Sequence, residues 1–383
     1  MILLCLCMLA MLSDAFNYLC RIKMKQFITY KRPPIAMNNF KIYSSFFFYT
    51  ISVLIFSCTS TSKTKSSTST VSTIDSLVLI PSPSPIKLNN STTKFYKNVS
   101  YGSLKENVFD IFLPQSAKPS GLVIYIFGGG FIHGDQAQPY NNGGELINKL
   151  LSNNIAYASI NYRYLTDDGQ GLFKCFSDAT RALQFIRLHS KQLNLEKQNV
   201  VLTGGSAGAG TSLWIAFNND MADKKNADPV LRESTRVKGV VAIETQATYD
   251  VLNWHSYVFN EYLGKGMSQK FILDMGTPAR TLTLYGFKSF ADTATAIGKQ
   301  RRTSLNMLGL MSKDDPEIFA ENLKRPYRMP ANLVEVQHSP LHIKALMDRA
   351  NQVGMKASFH APQMNIDTRN GEEAADFILR LLK

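Results

Sequence analysis

Continuous apolar segments that alternate with helical patterns constrain the fold of this sequence more than any other feature. Apolar residues at helical spacing predict helices at 144–154 and 175–193, and a segment rich in small residues predicts another at 207–220. Unbroken runs of β-branched and apolar residues predict strands buried on both faces at 121–130 (GLVIYIFGGG), 155–164 (IAYASINYRY), 199–205 (NVVLTGG) and 237–246 (VKGVVAIETQ). Strand alternating with helix predicts an α/β fold, with a mostly parallel central sheet and helices on both faces.

The same alternation returns near the C-terminal end of the chain. Residues 331–337 and 356–362 are predicted strands, and 340–354 and 371–383 are predicted helices. The stretch before them, about 250–330, has mostly helical patterns and is too long for a plain connection. We interpret it as a helical cap insertion over the C-terminal edge of the sheet, where such sheets bind ligands.

The positive charge of the chain does not indicate nucleic-acid binding. The formal net charge is +13, but residues 1–95 hold ten Lys and Arg against two Asp and Glu, whereas residues 96–383 hold 32 against 27. The basic excess therefore lies largely outside the segments that can form a core. No stripe of Lys and Arg with interleaved aromatic residues follows, so no nucleic-acid partner is expected.

Residues 1–58 have the pattern of an export signal. Residues 38–58 (NNFKIYSSFFFYTISVLIFSC) place a lysine before an apolar run that ends at Phe56, followed by a small residue and Cys58. The ending VLIFSC resembles a bacterial lipoprotein signal, although Phe56 is bulkier than the residue usual there. The resemblance implies that Met37 is the true start and that residues 1–36 are an upstream extension.

By the same resemblance, the protein is exported to a bacterial cell envelope, periplasmic or at the outer surface, and a lipid on Cys58 holds it to the membrane. The alternative is an N-terminal membrane-spanning anchor, although the apolar run is short for the roughly 20 residues of a span.

Residues 59–94 are rich in Ser, Thr, Pro and Lys, which predicts a disordered tether, and the folded domain is expected over 95–383. Within that domain Cys175 is the single cysteine, so the sequence predicts neither a disulfide framework nor a zinc site.

Residues 201–210 (VLTGGSAGAG) run from a buried strand through a Gly-x-Ser-x-Gly motif into a helix. This context is that of a nucleophile elbow, a tight turn that strains the serine backbone and exposes its hydroxyl. Gly204 and Gly208 satisfy its demand for residues without bulky side chains. The motif predicts Ser206 as a catalytic nucleophile at a helix N-terminus, which stabilises negative charge.

A glycine-rich loop at 125–135 (YIFGGGFIHGD) follows an earlier strand and can direct backbone N–H groups at a developing oxyanion. Together with NYRY, DATRALQFIR and GGSAGAG, in this order, it resembles the α/β-hydrolases of the hormone-sensitive-lipase and carboxylesterase kind over about 105–245. The resemblance implies a serine esterase whose oxyanion donors are the amides of Gly129, Gly130 and Ala207. Phe127 departs from it, because these enzymes usually carry a supporting histidine there.

The base and the acid of the triad are harder to assign. In this fold the acid usually follows the seventh strand and the histidine follows the eighth. Here 331–337, taken as the seventh strand, leads to His338, and 356–362, taken as the eighth, leads to Asp367. Since loops after adjacent parallel strands lie side by side, with strands about 4.8 Å apart, we predict His338 as the base, oriented by Asp367.

Other residues compete for these roles. His342 is an alternative base that could instead face the sheet, and His360 is expected to pack within its strand. Glu335 is a substitute acid. His133, just after the glycine loop, could contact the substrate or fix the loop.

The sequence therefore predicts a serine hydrolase that cleaves carboxylic esters through an acyl-enzyme, without a metal or organic cofactor. The expected substrate is a small-molecule or polysaccharide-linked ester, such as an acylated carbohydrate. One alternative is an inactive binding protein of the same fold, tethered at the cell envelope. A peptidase or amidase on this scaffold is a further alternative.

Overall fold

The computed structural model describes residues 77–383. Their strands form one nine-stranded sheet in the order β1-β2-β4-β3-β5-β6-β7-β8-β9. The strands are β1 (Lys94–Ser100), β2 (Val108–Leu113), β3 (Ser120–Ile126), β4 (Ile155–Ile160), β5 (Leu195–Gly205), β6 (Gly239–Ile243), β7 (Glu317–Glu321), β8 (Ala357–Ala361) and β9 (Ile366–Asp367).

Eleven α-helices lie within the described residues, together with short 3₁₀ turns. The helices are α1 (Gly144–Ser152), α2 (Phe173–Leu188), α3 (Ala207–Phe217), α4 (Trp254–Tyr257), α5 (Gln269–Gly276), α6 (Pro278–Tyr285), α7 (Ala296–Leu305), α8 (Met307–Leu310), α9 (Leu333–Gln337), α10 (Leu341–Val353) and α11 (Ala374–Leu382). No helix in 77–383 is long and apolar enough to cross a membrane.

The prediction of a mostly parallel sheet is confirmed. Strands β3 to β8 pair in parallel, and β1, β2 and β9 pair antiparallel with their neighbours. The carboxyl ends of the parallel strands therefore meet at one edge, which collects the loops that follow β3, β5, β6 and β7.

Helices cover both faces of the sheet, as the unbroken apolar strands predicted. Consecutive residues of β3 belong to different cores, because successive side chains of a strand point to opposite faces. Val123 belongs to a cluster with Ile147 of α1 and Phe377 of α11. Ile124 belongs to a larger cluster with Leu213 of α3, which continues into the cap.

Residues 77–94 pack along the domain, so the prediction of a disordered tether over 59–94 is wrong for this part. The Ser82 amide donates to the Phe95 carbonyl at 2.8 Å, and the Asn89 amide donates to Asn148 Oδ1 at 2.8 Å. Leu77 and Leu79 pack against the main core. Their apolar side chains offset the cost of fixing the backbone. Residues 59–76 of the predicted tether and the predicted signal over 1–58, with Cys58, lie outside the described residues.

The segment between β6 and β7 carries helices α4 to α8, which agrees with the helical pattern of the predicted cap. Its predicted end near residue 330 is wrong, because Glu317–Glu321 forms β7 and pairs in parallel with β6 and β8. Only three residues of this strand are buried, so its apolar run is too short to stand out from the helices before it.

Residues 331–337, predicted as the seventh strand, form helix α9 instead. Asn332 caps this helix, because its side chain accepts a hydrogen bond from the Glu335 amide at 3.0 Å. Val336 is buried, whereas Val334 is 48% exposed. The two valines therefore lie on different faces of a short helix, and not on the one buried face of a strand.

The cap is joined to the domain through a buried carboxylate. Asp250 follows the end of β6 and accepts a hydrogen bond from the Tyr285 hydroxyl of α6 at 2.6 Å. It also pairs with Arg302 of α7 at 3.0 Å. Asp250 therefore has a structural role in fixing two cap helices.

The close approach of Gly208 in α3 to the end of β3 predicts how alanine at this position affects the stability of the fold. A Cβ on Gly208 would overlap the Ile126 carbonyl oxygen, whereas a Cβ on Gly205 would meet nothing within 4 Å. We expect Gly208→Ala to lower the free energy of unfolding by about 3 kcal/mol, since a rigid backbone must move. Gly205→Ala should change it by less than about 1 kcal/mol. Urea denaturation checks both values, and equal stability of the two variants would contradict this packing.

Candidate active site

Ser206 lies at the turn between β5 and α3, where the sequence predicted a strained elbow. Its backbone has φ 51° and ψ −118°, and a positive φ is rare and costly for a residue other than glycine. The Ser206 amide donates to the Ile243 carbonyl at the end of β6 at 2.9 Å. The turn therefore holds the half-buried serine at the carboxyl edge of the sheet.

His338 lies within hydrogen-bond distance of this serine. Its Nε2 atom is 2.7 Å from Ser206 Oγ. The histidine follows the end of α9, and the Asn322 side chain, just after β7, donates to the His338 carbonyl at 2.7 Å. The structure brings together the two residues that the sequence predicted as nucleophile and base, although a short helix rather than a strand carries the histidine.

The other ring nitrogen of His338 contacts the backbone of its own helix. Nδ1 is 3.1 Å from the Val334 carbonyl oxygen. A carbonyl can only accept a hydrogen bond, so Nδ1 carries the proton and Nε2 presents a lone pair to the Ser206 hydroxyl. A main-chain carbonyl thus fixes the tautomer that a base requires.

The prediction that Asp367 orients His338 is therefore wrong. The chain turns back after β8, so that Asp367 lies in β9 opposite His360 rather than on a loop beside His338. The Asp367 carboxylate accepts hydrogen bonds from Arg369 Nε and Nη2 at 3.0 Å. These bonds lower the pKa of Asp367 to about 2.

Two side chains of opposite charge lie near His338. Glu244 follows β6 with φ 48°, and its Oε2 atom accepts from Arg325 Nη2 at 2.8 Å and from Nε at 3.0 Å. Burial lowers the pKa of His338, the bond to Val334 raises it, Arg325 lowers it and Glu244 raises it. The resulting pKa lies below the ordinary value of 6.5, so His338 is neutral at neutral pH.

The three predicted oxyanion donors line the same cavity as Ser206 and His338. Gly129 and Gly130 have φ of 100° and 59°, a conformation that favours glycine. Within residues 77–383, neither of their amides donates a hydrogen bond to another group of the chain. Ala207 begins α3, and the first amides of a helix have no acceptor within that helix. All three amides are available to a ligand, and their role in catalysis stays a prediction.

Aromatic packing supports the glycine loop at Phe127, the position where the family resemblance implied a supporting histidine. Phe127 stacks on Tyr162 with ring centroids 4.1 Å apart, and the Tyr162 hydroxyl donates to the Phe127 carbonyl at 2.9 Å. The Gly128 amide donates to Gln138 Oε1 at 3.0 Å. Phe127 and Gln138 therefore fix the loop by packing and by one side-chain hydrogen bond.

The competing residues have other surroundings. His342 is buried, with Nδ1 accepting from the Ala247 amide and Nε2 donating to the Val336 carbonyl. Burial lowers its pKa to about 3, and both nitrogens are occupied, so it is a structural residue.

His360 lies in β8, as predicted, and its ring nitrogens are 3.9 Å from Glu321 and Asp367. Glu335 pairs with Arg328 at 2.6 Å. His133 lines the cavity.

The cavity has a volume of about 420 Å³. One wall is apolar and comes from the loop after β6 and from α4 and α6, with Tyr249, Val251, Trp254 and Leu284. Sequence reasoning missed Glu244, Arg280 and Arg325, which also line it, because no local motif surrounds them. In the described part of the chain, no group of three or more His, Cys, Asp and Glu side chains is placed to hold a metal ion.

Comparisons with known proteins agree with this architecture. The BD-FAE family model matches residues 109–277. A solved structure described as a truncated carbohydrate esterase from gut microbiota is similar, with a TM-score of 0.51 and 17% identity over 75% of this chain and 95% of that one. A bifunctional GH43-CE protein from Bacteroides eggerthii has a TM-score of 0.52 and 18% identity, over 75% of this chain and 38% of its own length. Comparison with curated proteins found no match.

The electrostatic surroundings of His338 generate a prediction about its titration. Because burial disfavours the charged form, the imidazole should titrate below pH 6.5 in the folded protein. Arg325→Gln removes a neighbouring cation and should raise the pKa, whereas Glu244→Gln removes an anion and should lower it. NMR titration of the histidine side chains, with His338→Gln for assignment, measures these shifts. A pKa above 6.5 in the unmodified chain, or opposite shifts in the variants, would contradict the assigned causes.

Proposed function

We propose that the chain is a serine esterase of the α/β-hydrolase superfamily, which cleaves carboxylic esters through an acyl-enzyme intermediate. The distance of 2.7 Å between Ser206 Oγ and His338 Nε2 carries this proposal. It pairs a hydroxyl on a strained turn with a neutral imidazole, next to three backbone amides. A hydroxyl is a poor nucleophile unless a base takes its proton, and this geometry supplies one.

In the first half of the reaction, Ser206 Oγ forms a bond to the acyl carbon of the ester while its proton moves to His338 Nε2. The amides of Gly129, Gly130 and Ala207 stabilise the oxyanion by hydrogen bonds. The bond from the acyl carbon to the alcohol oxygen then breaks, and His338 gives its proton to the departing oxygen. The products are a free alcohol and an acyl group on Ser206.

In the second half, His338 takes a proton from water, and the water oxygen bonds to the acyl carbon. The bond to Ser206 Oγ breaks, and His338 returns the proton to the serine. While His338 carries the extra proton, Nδ1–H continues to donate to the Val334 carbonyl. The Glu244 carboxylate contributes a negative charge that stabilises the imidazolium.

We propose esters of carbohydrates as the substrate class, either small molecules or acyl groups linked to polysaccharides. The names of the similar carbohydrate esterase and of the GH43-CE protein support this class. The open cavity of about 420 Å³ supports it too, since it can accept a sugar ring. An inactive binding protein, the alternative, would not need a base beside Ser206. The contact between Ser206 and His338 therefore favours the enzyme.

We also propose that the protein is exported and tethered to the membrane by a lipid on Cys58. The apolar run that ends in VLIFSC supports this proposal. Expression of the full chain in a bacterium with labelled palmitate should label the protein, and Cys58→Ser should abolish the label. Equal labelling of both chains would contradict an anchor at this cysteine.

A set of three variants tests the catalytic roles with short-chain aryl esters. Ser206→Ala and His338→Ala should each lower kcat/KM by at least about 10³-fold, because each removes a group that transfers the proton or forms the bond. Asp367→Asn serves as the control and should change kcat/KM by less than about threefold, because its carboxylate binds Arg369. Full turnover by either alanine variant would contradict the assignment. A large loss in Asp367→Asn would restore the aspartate to the site.

A further inference from the structure

Arg280 places a guanidinium at the wall of the cavity, beside the glycine loop. It is the third residue of α6 in the cap, and its Nη2 atom is 3.3 Å from the Gly130 carbonyl oxygen. A Cβ on Gly130 would lie 2.7 Å from the same atom. The side chain is half-buried and lines the cavity that contains Ser206. A group bound to Arg280 would therefore lie close to the predicted oxyanion donors.

Within the described part of the chain, this guanidinium has no acidic partner. Among residues 77–383, no Asp or Glu carboxylate lies within 4.0 Å of Arg280. The other arginine that lines the cavity, Arg325, is paired with Glu244 at 2.8 Å. The fixed charges of the lining therefore sum to an excess of one positive charge, and that charge belongs to Arg280.

Helix stability does not account for this position. Arg280 lies in the first turn of α6, where the helix dipole disfavours a positive charge. The residue before the helix, Thr277, has φ 64° and ψ 135°, which is strained for a β-branched residue. Its side chain caps α6 by accepting from the Arg280 amide at 3.3 Å. A strained turn thus fixes a cation at an unfavourable helix end, facing the cavity.

We propose that Arg280 binds a carboxylate of the ester substrate, so that the enzyme prefers esters that carry a second, anionic group. This inference rests on the proposed esterase function and specifies its substrates further. A guanidinium fork matches the two oxygens of a carboxylate, and a half-buried cation gains more from such a pair than an exposed one. The carboxylate is on the alcohol side in an acylated uronic acid and on the acyl side in a half-ester of a dicarboxylic acid.

Two matched substrate pairs distinguish these sources. On the acyl side, 4-nitrophenyl hydrogen adipate is compared with 4-nitrophenyl hexanoate. On the alcohol side, acetylated galacturonic acid is compared with acetylated galactose. The readout is the ratio of kcat/KM for the anionic ester to that for its neutral counterpart, because both members of a pair use the same nucleophile and oxyanion donors.

In at least one pair, this ratio should fall about tenfold or more in Arg280→Gln, since a charge-assisted hydrogen bond is lost. Arg280→Lys should retain part of the ratio, because it keeps the charge but not the fork. Lys270→Gln is the matched control, because it removes an exposed cation of the cap that pairs with Asp274 away from the cavity. It should leave the ratio unchanged within about twofold.

The free energy of unfolding of Arg280→Gln is measured in parallel, so that a loss of folding is distinguished from a loss of binding. Arg280→Glu is a second variant, whose negative charge should lower the ratio further. Equal losses for both members of each pair in Arg280→Gln would overturn the inference and leave Arg280 as support for the Gly130 loop. If the unmodified enzyme and Arg280→Gln have the same ratio in both pairs, the inference fails while the esterase function stands. If it cleaves no ester in either pair, the proposed function itself fails.

Discussion

The hydrogen bond between Ser206 Oγ and His338 Nε2 is the contact on which the rest of this site depends. It joins residues 132 positions apart in the chain, at a distance of 2.7 Å. On one side, the glycines around Ser206 let the chain turn from β5 into α3. On the other side, Asn322 and His342 fix the short segment that carries His338, through hydrogen bonds to the His338 and Val336 carbonyls. The sheet that carries both segments sets the distance between the two side chains.

A neutral main-chain carbonyl, and not a carboxylate, orients His338, so the charged form of the imidazole is stabilised less strongly. A carboxylate in that position would stabilise the imidazolium strongly and raise its pKa, whereas a neutral carbonyl does so less. The charge of Glu244 acts from farther away and is partly offset by Arg325. His338 is therefore tuned mainly by burial, which keeps it neutral and ready to accept a proton.

Local sequence patterns predicted the parts of the site that a local turn determines. Ser206 and the glycine loop could be found because a strained elbow and an oxyanion loop each require small residues at fixed spacing. His338 was found from its place near the end of the chain, although 331–337 is a helix and not the seventh strand. The β7 strand was missed because its apolar run is short and follows a long helical region.

Residues brought in by tertiary structure could not be predicted in the same way. Asp367 was misassigned because nothing in 362–367 distinguishes a loop at the sheet edge from a return into a ninth strand. Arg280 and Glu244 lie in the cap and after β6, where no motif fixes their direction. The position of Arg280 depends on how the cap packs, to which Asp250 and its partners contribute, and that of Glu244 on the turn after β6.

A crystal structure of the domain with an aryl phosphonate bound would test directly whether Ser206 is the nucleophile and His338 its base. We expect a covalent bond from phosphorus to Ser206 Oγ, a phosphoryl oxygen about 2.7–3.1 Å from the predicted amides, and a hydrogen bond from Nδ1 of His338 to the Val334 carbonyl. A phosphonate on another residue, or a His338 ring turned toward a carboxylate and away from Ser206, would contradict it.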